Sequence, residues 1–295
     1  MSGRSAVLFR THFWDDFAER QYRRLQARVG TGDIFILANE TAGPLSIPHS
    51  NTISHSEDSV AALGLSRFPY QTFLWYNSDY PLYHFYERFP DYDYYIMSEY
   101  DVVVQRNLDW VVDVMAREGI DFVGLTITEA LSLWPYTQSA LGPYDESQIL
   151  KQLLCISMYS NRAVRHLFAR RRELSLLQDA DPSRPWAYCE AFVPTELALA
   201  GLKLEELSRF GPAHYYDWRP ALLESDLATL TDEGFLHPVL DPARFVQHRT
   251  RHLSGAWGLR KLPVNLYARP LTRAILRRIA AELRQRVLGA TDERT

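Results

Sequence analysis

Only two cysteines, Cys155 and Cys189, occur in 295 residues. That is too few for a disulfide framework, and their spacing does not suit a zinc site, so both read as free buried thiols in a reducing compartment. No apolar run approaches the roughly 18 residues that a membrane span needs. The stretch Met1 to Ser5 lacks the basic-then-apolar order of a secretory signal, and the expected location is cytoplasmic. Also missing are G-x-x-x-x-G-K-[ST], G-x-S-x-G and H-E-x-x-H, which disfavours kinase, α/β-hydrolase and zincin chemistry. There is no internal repeat and no low-complexity segment. Basic residues are not in excess: 32 Lys and Arg stand against 36 Asp and Glu, a net charge of −4. A surface that tracks nucleic-acid phosphates is usually basic overall, so nucleic acid is not the expected partner.

What is present suits a globular α/β protein. With 46% hydrophobic and 23% charged residues the chain can bury a sizeable core. Ala6 to Phe9 reads as a buried strand, Trp14 to Val29 as a helix with acids in its first turn, and Asp33 to Ala38 as a second strand, a βαβ opening. A weak strand (Thr52 to Ser54), a short helix (Ser56 to Leu65) and a helix over Leu82 to Phe89 follow. Next come a helix from Leu108 to Arg117 closed by Gly119 and a strand from Phe122 to Ile127. Residues 129–150 have no strong period and read as a long loop over a site. Leu153 to Tyr159 reads as a strand, Ala163 to Leu177 as a basic helix capped by Ser160, and Pro194 to Ala200 as a helix. The run Arg170-Arg-Arg172 is read as a solvated face rather than a phosphate clamp. Beyond residue 201 the pattern weakens. Leu271 to Leu288 is a basic amphipathic helix that could dock on the domain, pair with a partner helix or lie on an anionic membrane surface, and Gly289 to Thr295 reads as a disordered tail. The expected division is a domain over 1–265 and this helix and tail over 266–295.

The chain is organised around Asp91-Tyr-Asp-Tyr-Tyr-Ile-Met-Ser-Glu-Tyr-Asp-Val-Val-Val104. A buried strand over Tyr94 to Met97 runs into two acids, Glu99 and Asp101, and alternation would put both on one side of the backbone. Two carboxylates there suit a hard divalent cation, Mn²⁺ or Mg²⁺, bridging the phosphates of a sugar diphosphate. Open α/β sheets bind ligands at the carboxyl ends of their strands. The plainer alternative is that both acids are solvated at an exposed strand end, or pair with Arg106.

The segment Tyr94-Tyr-Ile-Met-Ser-Glu-Tyr-Asp101, after two or three βα units, resembles the DxD region of nucleotide-sugar-dependent glycosyltransferases of the GT-A type. Together with Trp75-Tyr-Asn-Ser-Asp-Tyr-Pro-Leu-Tyr-His-Phe85 it is similar to a group of such proteins associated with polysaccharide synthesis. The likeness spans residues 5–240 in element order, though its specific motif is only about a dozen residues long. Glu99 stands where the motif has its first Asp, which leaves Asp101 the stronger candidate metal ligand and makes Glu99 either a ligand or a contact to ribose or sugar.

The resemblance implies a GT-A-like, Rossmann-like mixed sheet flanked by helices, and donor-site roles for Arg10, Thr11 and His12, with Glu40 and His55 behind them. Trp75, Tyr76 and Asn77 could stack on a uracil and bond its edge. Glu190, near the start of a helix in the acceptor half, is the implied base of an inverting reaction, with Cys189 where a second acid is often seen. Its alternative role is to stabilise the helix that follows. His237 is implied in the metal shell or on the diphosphate. Trp134, Tyr136, Trp186, Tyr188 and His214-Tyr-Tyr-Asp-Trp218 could stack on acceptor sugars or simply pack loops.

The expected function is therefore metal-dependent transfer of a sugar from a UDP-sugar to a saccharide hydroxyl, with peripheral contact at the inner face of a membrane through the last helix. Two alternatives stay open: a nucleotidyltransferase of the same fold class, and a non-catalytic carbohydrate-binding or assembly protein.

Overall fold

Two strands, over 5–11 and 94–99, are buried on both faces, and this is why their sequences are almost continuously apolar or aromatic. In a computed structural model describing residues 3–69, 73–217, 220–231, 234–251 and 276–281, β1 (Ser5–Thr11) lies parallel between β2 (Asp33–Asn39) and a later strand, β4 (Tyr94–Glu99). Ala6, Val7 and Leu8 are wholly buried, as expected of a central parallel strand. Between β1 and β2 runs α1 (Asp16–Gln26). It begins at Asp16 because the Asp15 side chain accepts the Phe17 and Ala18 N–H groups, both at 3.0 Å. That cap answers two of the four donors an α-helix start leaves unpaired.

After β2 come β3 (Thr52–His55), α2 (Glu57–Ala61), the single turn α3 (Phe73–Tyr76) and α4 (Tyr80–Arg88), with Pro81 in its first turn. The chain continues through β4, a short strand β5 (Val103–Val104), α5 (Leu108–Glu118) and β6 (Phe122–Thr126). Gly119 closes α5 at φ 65°, a left-handed conformation that glycine adopts without cost. Then follow α6 (Thr137–Ala140), β7 (Gln152–Ser160), α7 (Asn161–Ala180), α8 (Cys189–Leu199) and β8 (Leu204–Glu206). Four short strands come next: β9 (Tyr215–Tyr216), β10 (Leu222–Leu223), β11 (Phe235–His237) and β12 (Val239–Leu240). Helix α9 (Pro242–Arg251) comes after them.

The chain divides into two compact units, one holding residues up to 100 and 106–212, the other 101–105 and the residues from 213 on. The first contains a seven-stranded sheet in the order β3-β2-β1-β4-β7-β6-β8. It is a mixed sheet: β7 runs antiparallel to both β4 and β6, and the other pairings are parallel. With helices packed on it, this is the α/β architecture expected from the sequence. The second unit contains a three-stranded sheet, β5-β11-β9, and the pair β10-β12 around Val103, Leu222, Leu230, Leu236 and Val239.

Three expectations change. Residues 129–150 do not merely overhang a site, because Trp134, Ala140 and Tyr144 are core residues, and the Tyr144 hydroxyl donates to Glu196 Oε1 at 2.9 Å. Helix α8 begins at Cys189, five residues before Pro194; burial of most of its side chains outweighs the lost proline N–H. The Arg170-Arg-Arg172 run is not a solvated face throughout. Arg171 is fully buried and pairs with the equally buried Asp79, Nε to Oδ2 at 2.9 Å. The Tyr83 hydroxyl also donates to Asp79 Oδ2 at 2.9 Å, and Arg171 Nη1 donates to the Ala187 carbonyl at 3.2 Å. The guanidinium lies 3.6 Å from the Phe192 ring centroid. A charge this deep is tolerated only because its partner and remaining donors are engaged.

Of the helix expected over Leu271 to Leu288, residues 276–281 are helical and Ile279 is buried; 271–275 and 282–295 lie outside the described residues, as do Trp218 and the expected tail. Among the described residues no helix is long and apolar enough to cross a membrane.

Candidate functional site

Strand register places the first pair of charges. Arg10 and Glu99 are direct partners across β1 and β4 at the carboxyl end of the parallel strands, and Arg10 Nη1 lies 3.8 Å from Glu99 Oε1. Thr11, one residue on, is buried. Its hydroxyl donates to the Phe13 carbonyl at 2.6 Å and so holds the β1–α1 turn. His12 is exposed, with its ring edge-on to Phe13 and Tyr100 at 5.1 and 5.4 Å. His55, at the end of β3, is buried beneath this corner. Burial, then the charge of Arg10 and the nearby His84, pull its pKa down to about 3, so it stays neutral. The Nδ1 atoms of His55 and His84 have no hydrogen-bond partner among the described residues, and the two rings lie 6.2 Å apart. Glu40 accepts the Leu45 N–H at 2.8 Å in the β2–β3 loop.

Glu190 lies in the first turn of α8 and is half-buried. Burial, and next the negative charge of Glu99, push its pKa up to about 8, against an opposing backbone hydrogen bond from Leu154 at the start of β7. The first unit therefore gathers Arg10, Glu99 and Glu190. A carboxyl group raised by burial and by a neighbouring carboxylate at a strand end is the kind of perturbation found where proton transfer occurs. Cys189 beside it is wholly buried, 3.1 Å from Ser78 Oγ, and burial chiefly pushes its thiol up to about 12, which makes it inert.

An aromatic group adjoins Glu190. Tyr136 and Tyr188 are stacked at 4.0 Å, and Trp75 packs against them at 5.7 and 5.4 Å. Trp134 and Trp186 are buried. Asn77, expected on the edge of a base, is wholly buried. Its amide donates to the Phe68 and Phe73 carbonyls at 2.9 and 3.0 Å and accepts the Trp186 indole N–H at 2.8 Å. Both of its N–H groups are spent inside the protein. The Tyr76 hydroxyl likewise donates to the Trp186 carbonyl at 3.0 Å.

In the second unit Asp101 and His237 face one another, Oδ1 to Nε2 at 3.6 Å. Strand β4 stops at Glu99, so the alternation expected to align Glu99 with Asp101 does not extend to Asp101. His237 Nδ1 lies 2.6 Å from the Asp217 carbonyl, which can only accept, so Nδ1 carries the proton. In the neutral ring, Nε2 then presents a lone pair toward a carboxylate oxygen. Two acceptors at that separation fit a shared cation, and an Nδ1–H bonded to a carbonyl is how ligating histidines are commonly oriented. Tyr216 packs on the same imidazole at 5.7 Å, while His214 and Tyr215 are exposed.

No known protein family and no curated protein matches the chain in sequence. Solved glycosyltransferases align with it. Mouse xyloside xylosyltransferase 1, apo form, is 10% identical over 80% of this chain and 97% of its own, at a TM-score of 0.43. Galactosyltransferase LgtC in complex with donor and acceptor sugar analogs is 12% identical over 77% and 79%, at 0.42. A glycosyltransferase involved in the glycosylation of the major capsid of PBCV-1 is 9% identical over 79% and 92%, at 0.36.

Proposed function

We propose that this chain is a glycosyltransferase that moves a sugar from a nucleoside-diphosphate donor, a UDP-sugar, to a saccharide hydroxyl with inversion at the anomeric carbon. The observation that carries the reading is Glu190, a carboxyl group held near pKa 8 beside Glu99 and Arg10 at the carboxyl end of the parallel strands. A base tuned to that range is substantially ionised in mildly alkaline solution, yet basic enough to accept the proton of an attacking hydroxyl. As the acceptor oxygen bonds to the anomeric carbon, the bond to the donor's diphosphate breaks, and the hydroxyl proton passes to Glu190. Arg10, with Thr11 and His12 around the β1–α1 turn, forms the donor corner, and Glu99 keeps Arg10 oriented.

Asp101 and His237 fit a divalent cation, and an imidazole among the ligands favours Mn²⁺ over the more strictly oxygen-seeking Mg²⁺. Such a cation, when bound, neutralises charge on a departing diphosphate. A saccharide acceptor places the reaction in polysaccharide or glycoconjugate synthesis, and the basic residues over 271–288 would bring the protein to an anionic membrane surface. The test is nucleotide release from a panel of nucleotide sugars, with Mn²⁺ or with EDTA. Release that needs Mn²⁺ and is lost in Asp101→Asn is expected; no release from any donor, or release indifferent to EDTA, overturns the proposal.

A further inference from the structure

Trp75 is the exposed member of an otherwise interior aromatic group. It is 56% exposed, whereas Tyr188 is 6% and Trp134 5%. Single exposed apolar side chains need no explanation. Trp75 differs in having a built support: Tyr136 and Tyr188 stack on each other at 4.0 Å, and the indole packs on both. The support is itself fixed, because the Tyr188 N–H donates to Ser139 Oγ at 3.1 Å and the Ser139 hydroxyl donates to the Tyr136 carbonyl at 2.7 Å. The group also lies near the proposed base, because Tyr188 is the N-cap residue of α8 and Glu190 follows two residues later in its first turn.

The neighbours of Trp75 decide what it can hold. Reading a nucleobase requires donors and acceptors at the ring edge. The two residues that follow Trp75 cannot supply them: both N–H groups of Asn77 are given to backbone carbonyls, and the Tyr76 hydroxyl is given to Trp186. What remains is a rigid aromatic surface next to a carboxylate. That combination suits a pyranose, whose C–H face packs on an indole while its hydroxyl rim stays hydrated or reaches the base.

We infer that Trp75, backed by the Tyr136–Tyr188 stack, is the platform on which the pyranose ring of the saccharide acceptor rests, and that it does not bind the nucleotide. The inference rests on the transfer reading for the word acceptor, but pyranose binding can be read without turnover.

The experiment follows the Trp indole N–H resonances of the full chain, assigned by comparison with Trp75→Phe, during titration with methyl β-D-glucopyranoside, methyl β-D-galactopyranoside and methyl N-acetyl-β-D-glucosaminide, and separately with UDP. At least one pyranoside should shift the Trp75 resonance. Its affinity should fall about tenfold in Trp75→Ala and less in Trp75→Phe, while UDP affinity is the same in all three proteins. If no pyranoside moves the Trp75 resonance, if Trp75→Ala binds the pyranoside as tightly as the parent, or if UDP moves that resonance, the inference is wrong. Nucleotide-sugar turnover is measured alongside. Pyranoside binding at Trp75 without turnover upholds the platform and rejects the transfer reading.

Discussion

Replacing Glu190 by Gln should make the protein more stable and less active at once. The wild-type carboxyl group is held at about 8, against an ordinary 4.5. At about 1.4 kcal/mol per tenfold, that gap is worth at most about 5 kcal/mol. Glu190 is half-buried, so solvent screening reduces the figure to about 2 kcal/mol. The sign follows from linkage. Because the folded value is raised, the unfolded chain loses this proton first, and stability falls as pH rises from 4.5 toward 8, then levels off. Gln cannot ionise, and its carbonyl can still accept from Leu154. Urea unfolding with EDTA present at pH 5.5, 7 and 9 should show Glu190→Gln gaining on the wild type across the series, reaching about 2 kcal/mol at pH 9. A gap independent of pH, or a Gln variant less stable at pH 9, would refute the reasoning.

Three further outcomes follow from the same geometry. Asp79→Asn leaves Arg171 buried without its counter-charge and should cost about 3–5 kcal/mol in chemical denaturation; a loss under about 1 kcal/mol would mean that the pair is not sealed from water. Glu99→Gln removes the charge that helps to raise Glu190, so the acid limb of the pH–rate profile should move to lower pH, and an unmoved limb would uncouple the two acids. Burial pushes the Asp121 carboxyl up, but Arg162, Ser160 and the Lys203 N–H together hold it below 3.8. Its contribution is present above the unfolded value and lost as pH falls through the folded one. Asp121→Asn should therefore destabilise by about 1–2 kcal/mol at pH 7, since Arg162 is itself exposed, and progressively less below pH 3.8, as read by urea midpoints; a constant penalty would contradict the assignment.

The parallel strands were legible because burial on both faces leaves runs such as Ala6 to Phe9 and Tyr94 to Met97 without alternation. The start of α1 was legible to within two residues, since Asp15 is a strong cap. What sequence did not show depends on partners distant along the chain. Arg171 looked like one of three surface arginines, and its partner Asp79 is 92 residues away; the available signal was an acid preceding the apolar, aromatic run Tyr80 to Phe85. Asp101 meets His237 because the chain leaves β4 at Glu99, a departure that period-two counting cannot show. Pro194 read as a first-turn proline, and a buried helix that starts five residues earlier escapes that rule. Beyond residue 201 the strands are two or three residues long, too short for any period. Asn77 looked like a ligand amide and is spent on the core, whereas Glu190 has the helix-start position that the resemblance implied.

The central claim is that Glu190 takes the acceptor's proton during sugar transfer. The most direct measurement is acceptor-dependent release of nucleotide at pH 8 by wild type and Glu190→Gln, with UDP binding measured on both. The account predicts UDP affinity unchanged and transfer reduced by about 10²-fold or more. Transfer by the Gln variant at the wild-type rate would contradict it.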